Sequence, residues 1–221
     1  MRQFVYSFAE GSEDMKSLLG SKGASLAEMT RTGLPVPFGF TVTTEACGKY
    51  YEDGKIISDD IANEIFEKLT ELEHVTGKLF GDISNPLIVS VRIGAEIYVP
   101  GIIDTVLNLG LNDETAAGLS ALSGNERFAY DSYKRFIRMF GETVMNVPRD
   151  KFETEAEKLA SDDPKEAAEA YKALILKETR EEFPQDPKKQ LIMAVAAAFG
   201  SWSTEEAEKF RHCLLYTSRC V

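Results

Sequence analysis

Along the 221-residue chain, apolar positions fall first into short alternating runs and later into stripes at helical spacing. Phe38-Gly39-Phe40-Thr41-Val42 alternates as a strand does, and Leu87-Ile88-Val89-Ser90-Val91 is a β-branched run typical of a buried strand. Between and before them lie helix signals. Gly20-Ser21-Lys22-Gly23 reads as a tight turn, and Ala24 to Met29 are good helix formers directly after it. Thr32-Gly33 supplies a glycine C-cap, Leu34-Pro35-Val36-Pro37 forces an extended path, and Thr43-Thr44-Glu45 caps a further helix.

Past Leu111 the period is helical throughout. Ala129, Tyr133, Phe136, Ile137 and Phe140 form one apolar stripe. Ala167, Tyr171, Leu174 and Ile175 form a second, and Leu191, Ile192, Val195 and Phe199 a third. Asp163-Pro164 and Asp186-Pro187 each read as an N-cap followed by proline at the first helical position. The stripes are core, and Arg135 and Arg138 belong to a solvated helix face. The pattern thus predicts an α+β fold, with an α/β part over 1–111 and a helical subdomain over 112–197.

Composition narrows the class. A hydrophobic content of 43% suffices for a packed core, and the 28% charged residues fit a folded chain of one domain or two small ones. No apolar run reaches membrane-spanning length and no basic-then-apolar leader is present, so a cytoplasmic location without membrane association is expected. A net charge of −11 without a basic stripe excludes nucleic acid as a partner. An acidic protein that binds a phosphorylated ligand must concentrate positive charge locally.

Two residues offer that charge. A lysine at the glycine-flanked turn before a helix adds a full charge where unpaired N–H groups and the helix dipole already favour an anion. Lys22 holds this position. Arg92 closes the apolar strand, where an unpaired buried charge would be costly, so it is expected to face a cleft. Arginine there suits bidentate phosphate contact. From these residues alone an exposed surface lysine is the better account of the turn, and an ordinary salt bridge is an alternative account of the arginine.

The wider motif set is more specific. FVYSF, GxKGASLAEM, GLPVPxGFxVTTEAC, TGKxFGD, NPLxVSVRxGA, PGxxDTVLNLGLND and GNERFAYDSYKRFIxMFG occur in order over most of positions 4–141. Together they resemble the N-terminal nucleotide-binding domain of the pyruvate, phosphate dikinase family. The loop PGxxDTVLNLGLND separates that family from phosphoenolpyruvate synthase, the nearest alternative enzyme. The resemblance implies an incomplete ATP-grasp-like domain with a helical insertion, in which Lys22 and Arg92 contact the ATP phosphates. It also implies conversion of ATP, phosphate and pyruvate to AMP, pyrophosphate and phosphoenolpyruvate. Phosphate would pass through a phosphohistidine on a separate central domain in cis, in a protein that is a homodimer at full length. Ser21 and Ile93 stand where the family usually has glycine and serine, and Val99, Ile102 and Ile103 where methionines are common.

The same resemblance implies gaps. His74 and His212, the chain's histidines, match no phosphohistidine motif. The acidic magnesium ligands and the adenine-gripping residues are expected downstream, so neither a catalytic nor a metal-binding residue is assigned here and the chain alone is expected to be inactive. Asp104 reads as a helix N-cap rather than a metal ligand. A non-catalytic nucleotide- or partner-binding module is the alternative of another class.

Residues 198–212 read as a return segment toward a second half of the fold, with Glu206 where the family has arginine and with Ser203 to Glu206 forming a capping box. Cys213 to Val221, CLLYTSRCV, matches nothing in the family. It back-translates to TGTCTCTTATACACATCTAGATGTGTA, an inverted repeat that looks like paired transposon ends from sequencing libraries. Residues 213–221 are therefore expected to be a non-native tail. That leaves Cys47, a small buried side chain, with no disulfide or zinc framework.

Overall fold

The computed structural model describes residues 2–93, 105–159 and 162–203, together with 205, 207 and 209. Val99, Ile102, Ile103, Asp104, Thr204, Glu206, His212 and the 213–221 tail, all read above from sequence, lie outside the described residues. Val106–Leu109, just after Asp104, is a strand, so no helix follows for that residue to cap. The fold is α+β, and the chain divides into two compact units.

The first unit comprises the described residues of Met1–Gly77, Arg92–Asp104 and Ala198–Val221. Strand β1 (Val5–Ser7) opens it, and two single 3-10 turns, Phe8–Glu10 and Glu13–Met15, lead into helix α1 (Lys16–Arg31). Strand β2 (Phe40–Val42) returns antiparallel to β1, pairing Val5 with Val42 and Tyr6 with Thr41. Helices α2 (Thr44–Glu52) and α3 (Asp59–Thr76) follow. The α3 positions Ile61, Ile65, Leu69 and Leu72 are buried on one face, as their spacing dictates. The Glu64 carboxylate accepts the N–H groups of Phe4 and Val5 at 2.7 and 2.9 Å, fastening the chain start to α3.

Helix α1 differs from its sequence reading. Helix begins at Lys16, and the four-residue turn contracts to one residue, Gly20, with φ 69° and ψ 171°. That conformation is open essentially to glycine alone. It breaks α1 into two helical segments, and Lys22 lies in the first turn of the second rather than in a loop. The other end forms as expected. Gly33 takes φ 77°, its N–H reaches the Thr30 carbonyl at 3.1 Å, and the Leu34 N–H reaches Met29 at 3.0 Å, a Schellman closure. Thr43 caps α2 by accepting the Ala46 N–H at 3.2 Å. Cys47 is buried on that helix.

The second unit comprises Lys78–Val91 and the described residues of Thr105–Ala197. The expected strand at 87–91 is divided here. Strand β3 (Leu79–Phe80) pairs parallel with β4 (Pro86–Leu87), while β5 (Val89–Val91) pairs antiparallel with β6 (Val106–Leu109). Because the two halves bond to different partners, only Pro86 and Leu87 are buried; Val89 and Val91 are half-buried and Ser90 is exposed. Helices α4 (Asp113–Ser123), α5 (Glu126–Thr143), α6 (Arg149–Lys158), α7 (Pro164–Thr179) and α8 (Pro187–Ser201) follow, α8 running on into residues of the first unit.

The three apolar stripes form core, apart from Ile192, which is only half-buried, and α5 is the spine of this unit. Tyr133, Phe136, Ile137 and Phe140 are essentially inaccessible, and Phe183 meets Tyr133, Phe136 and Phe140 edge-on at 5.6–6.2 Å between ring centres. Asp163 and Asp186 cap α7 and α8 through the N–H groups of Lys165 and Lys188, each at 2.9 Å. Arg135 pairs with Asp131, and Arg138 with Glu142 and Glu153, on the solvated side of the helix.

Three stability changes follow, each readable by urea unfolding. Gly20→Ala loses roughly 1–3 kcal/mol, because alanine meets a forbidden backbone conformation. Gly48→Ala, in the interior of α2 where an added Cβ meets nothing within 4 Å, gains about 0.5–1 kcal/mol from helix propensity. Phe136→Ala opens the α5 core and loses about 3–5 kcal/mol.

Candidate functional site

Lys22 and Arg92 are far apart in sequence and both belong to the first unit. Burial of Leu19 and Gly20 sets the inner side of α1, and Leu19, Ala24 and Ala27 form a small core with Tyr6, Met15 and Leu18 against it. Lys22, on the segment restarted by Gly20, is exposed. Its Nζ donates to the main-chain carbonyl of Ile93 at 2.7 Å. The ammonium is thus delivered to the backbone immediately after Arg92, across 71 positions of sequence.

Arg92 follows directly on β5 and is exposed rather than buried. Among the described residues no carboxylate pairs with it. The two candidate cations therefore converge on one stretch of main chain, one through its side chain and the other through its own backbone. Lys22 itself stands in the first turn of a helical segment, the end at which a phosphate would be favoured.

Several features of this geometry are invisible in sequence. The Ile93 contribution is a carbonyl, so the replacement of the family's serine by isoleucine leaves the lysine contact in place. Gly20, not Ser21, carries the positive φ, so serine at 21 meets no left-handed strain. Gly23 faces β2 at close range, a packing relation that spacing alone does not reveal.

His74 is exposed on α3. Among the described residues no three His, Cys, Asp or Glu side chains converge as metal ligands. In the second unit, Asp113 accepts from Tyr133 Oη at 2.9 Å and from Lys172 Nζ at 2.6 Å, and Gln185 Nε2 donates to the same phenol at 3.2 Å. Burial pushes the Tyr133 phenol far up, with the Asp113 charge adding to it, so it stays a protonated donor that ties α4 to α5. No described helix is long and apolar enough to cross a membrane.

Comparison with known proteins matches the motif set. The family model described as pyruvate phosphate dikinase, AMP/ATP-binding domain, covers residues 16–199. The chain is 51% identical to the pyruvate, phosphate dikinase of Clostridium symbiosum, over 96% of this chain and 26% of that protein. It is 50% identical to the chloroplastic enzyme of Mesembryanthemum crystallinum, over 92% of this chain and 23% of that protein. For the chloroplastic enzyme 1 of Arabidopsis thaliana the identity is 49% over 92% of this chain. The chain spans about a quarter of the length of these relatives. By family-model match and sequence identity, this chain belongs to the AMP/ATP-binding domain family of pyruvate phosphate dikinase.

Proposed function

We propose that this chain forms the phosphate-side wall of an ATP site in an ATP-grasp-like domain, with Lys22 and Arg92 contacting the nucleotide phosphates. The observation that carries the reading is the 2.7 Å contact from Lys22 Nζ to the Ile93 carbonyl. It brings one cation to the backbone that bears the other, in a domain whose family binds AMP or ATP. Each charge-assisted phosphate contact would contribute about 1.5–3 kcal/mol.

On this reading the larger reaction converts ATP, phosphate and pyruvate to AMP, pyrophosphate and phosphoenolpyruvate, or runs in reverse. Phosphoryl transfer is mainly positioning and electrostatic stabilisation. Lys22 and Arg92 hold and orient the phosphate chain and neutralise charge that develops on it. The magnesium such chemistry calls for does not fit the described residues, where no ligand cluster occurs and both candidate nucleotide contacts are cations. We assign its carboxylates, and the phosphate-accepting histidine, to segments outside the described residues. The chain alone is then a weak ATP binder that transfers nothing.

Titrating the ¹⁵N-labelled chain with ATP should move the amides of residues 20–23 and 91–93 together. Lys22→Ala and Arg92→Ala should each weaken that binding roughly 10- to 100-fold, the equivalent of one charge-assisted contact. In a chimaera carrying this chain in place of the matching part of the Clostridium symbiosum enzyme, either change should cut phosphoenolpyruvate formation by at least ~100-fold. Tight magnesium-dependent ATP hydrolysis by the chain alone, or amide shifts indifferent to both substitutions, would contradict the proposal.

A further inference from the structure

We infer that Gly23 is a positioning residue: the absence of its side chain lets α1 close on Thr41 of β2, and that closeness sets where Lys22 delivers its ammonium. The inference rests on the nucleotide-binding reading only for the consequence at the phosphates. The geometry behind it is independent of any ligand.

Gly23 is buried and helical, and its φ lies outside the positive region, so the backbone does not demand glycine. Helix propensity argues against it there, since alanine is the better helix former. Space supplies the reason. A Cβ on Gly23 would stand 2.8 Å from Thr41 Oγ1, 2.9 Å from Thr41 Cγ2 and 3.2 Å from Leu19 Cβ. Thr41 is fixed by its pairing with Tyr6 in the β1–β2 ladder, and its branched side chain is stiff about χ1. Leu19 is locked in the core on the other side of the Gly20 break. Neither neighbour yields easily, so the helix must move away. Lys22, adjacent in sequence, then moves with it, and the 2.7 Å bond to Ile93 is the contact that such a shift breaks. Gly48, in the interior of α2 with open space around it, has no comparable role.

The test reads Lys22 directly. An amine engaged in a hydrogen bond is less available to an acylating reagent. The folded chain is pulsed with limiting N-acetoxysuccinimide, and acetylation at Lys22 is measured by mass spectrometry relative to Lys16, exposed on the preceding helical segment. Gly23→Ala should raise the Lys22-to-Lys16 ratio roughly 3- to 10-fold, the equivalent of one net hydrogen bond. Thr41→Ala, added to it, deletes both clashing atoms and should return the ratio to that of the native chain. Thr41→Val, which keeps the bulk, should leave it raised. An unchanged ratio in folded Gly23→Ala, or failure of Thr41→Ala to restore it, overturns the inference. Should Gly23→Ala not fold, the Gly23→Ala/Thr41→Ala pair carries the test: folding with the native ratio supports the role, and a raised ratio or no folding refutes it. A separate arm adds ATP to the native chain. If ATP fails to protect Lys22 while the Gly23–Thr41 coupling holds, the nucleotide reading fails and the positioning role stands.

Discussion

The backbone break at Gly20 is the constraint on which the candidate site depends. Its φ of 69° with ψ of 171° breaks the helical course and turns the chain between two helical segments. Leu19 on one side enters the core, and Lys22 on the other emerges to meet the Ile93 carbonyl. A continuous helix would carry the lysine elsewhere on the cylinder, because each residue advances the helix by about 100°. The closing Schellman turn at Gly33 and the threonine cap of α2 then return the chain through β2, the strand against which α1 packs. Glycine thus serves two ends in this segment. At 20 it supplies a conformation, and at 23 it supplies space.

The second unit is stabilised by different means. Its organising element is α5, whose buried aromatic stripe meets Phe183 edge-on from several sides. Polar anchoring supplements that core: the fully buried Gln190 side chain accepts from the Gly110 N–H and donates to the Leu111 and Pro184 carbonyls. A buried amide with its hydrogen bonds made avoids the penalty of an unsatisfied polar group and fixes the turn that ends β6.

Much of this was legible in the sequence, for physical reasons that differ by element. The helical stripes from Ala129 to Phe199 were readable because periodicity reports burial directly, and the Asp-Pro caps because their chemistry is local. Lys22 and Arg92 were found as charges at special positions, yet their convergence depends on a main-chain carbonyl, which no side-chain pattern encodes. The division of Leu87–Val91 between two pairings escaped because β-branched residues announce a strand without announcing its partner. The turn expected over Gly20–Gly23 narrows to Gly20 for a related reason: glycine density marks a break, but which glycine takes the positive φ is decided by packing. Gly23 is the case in point, since its reason lies across space in Thr41.

The central claim is that Lys22, placed by this geometry, lies beside the phosphates of a bound nucleotide. The most direct measurement uses an ATP analogue with a reactive acyl phosphate at its terminal phosphate, which transfers its acyl group to the amine nearest the phosphate chain. Peptide mapping should find Lys22 as the dominant labelled residue, with labelling suppressed by excess ATP. Labelling spread evenly over exposed lysines such as Lys16 and unaffected by ATP would contradict the account.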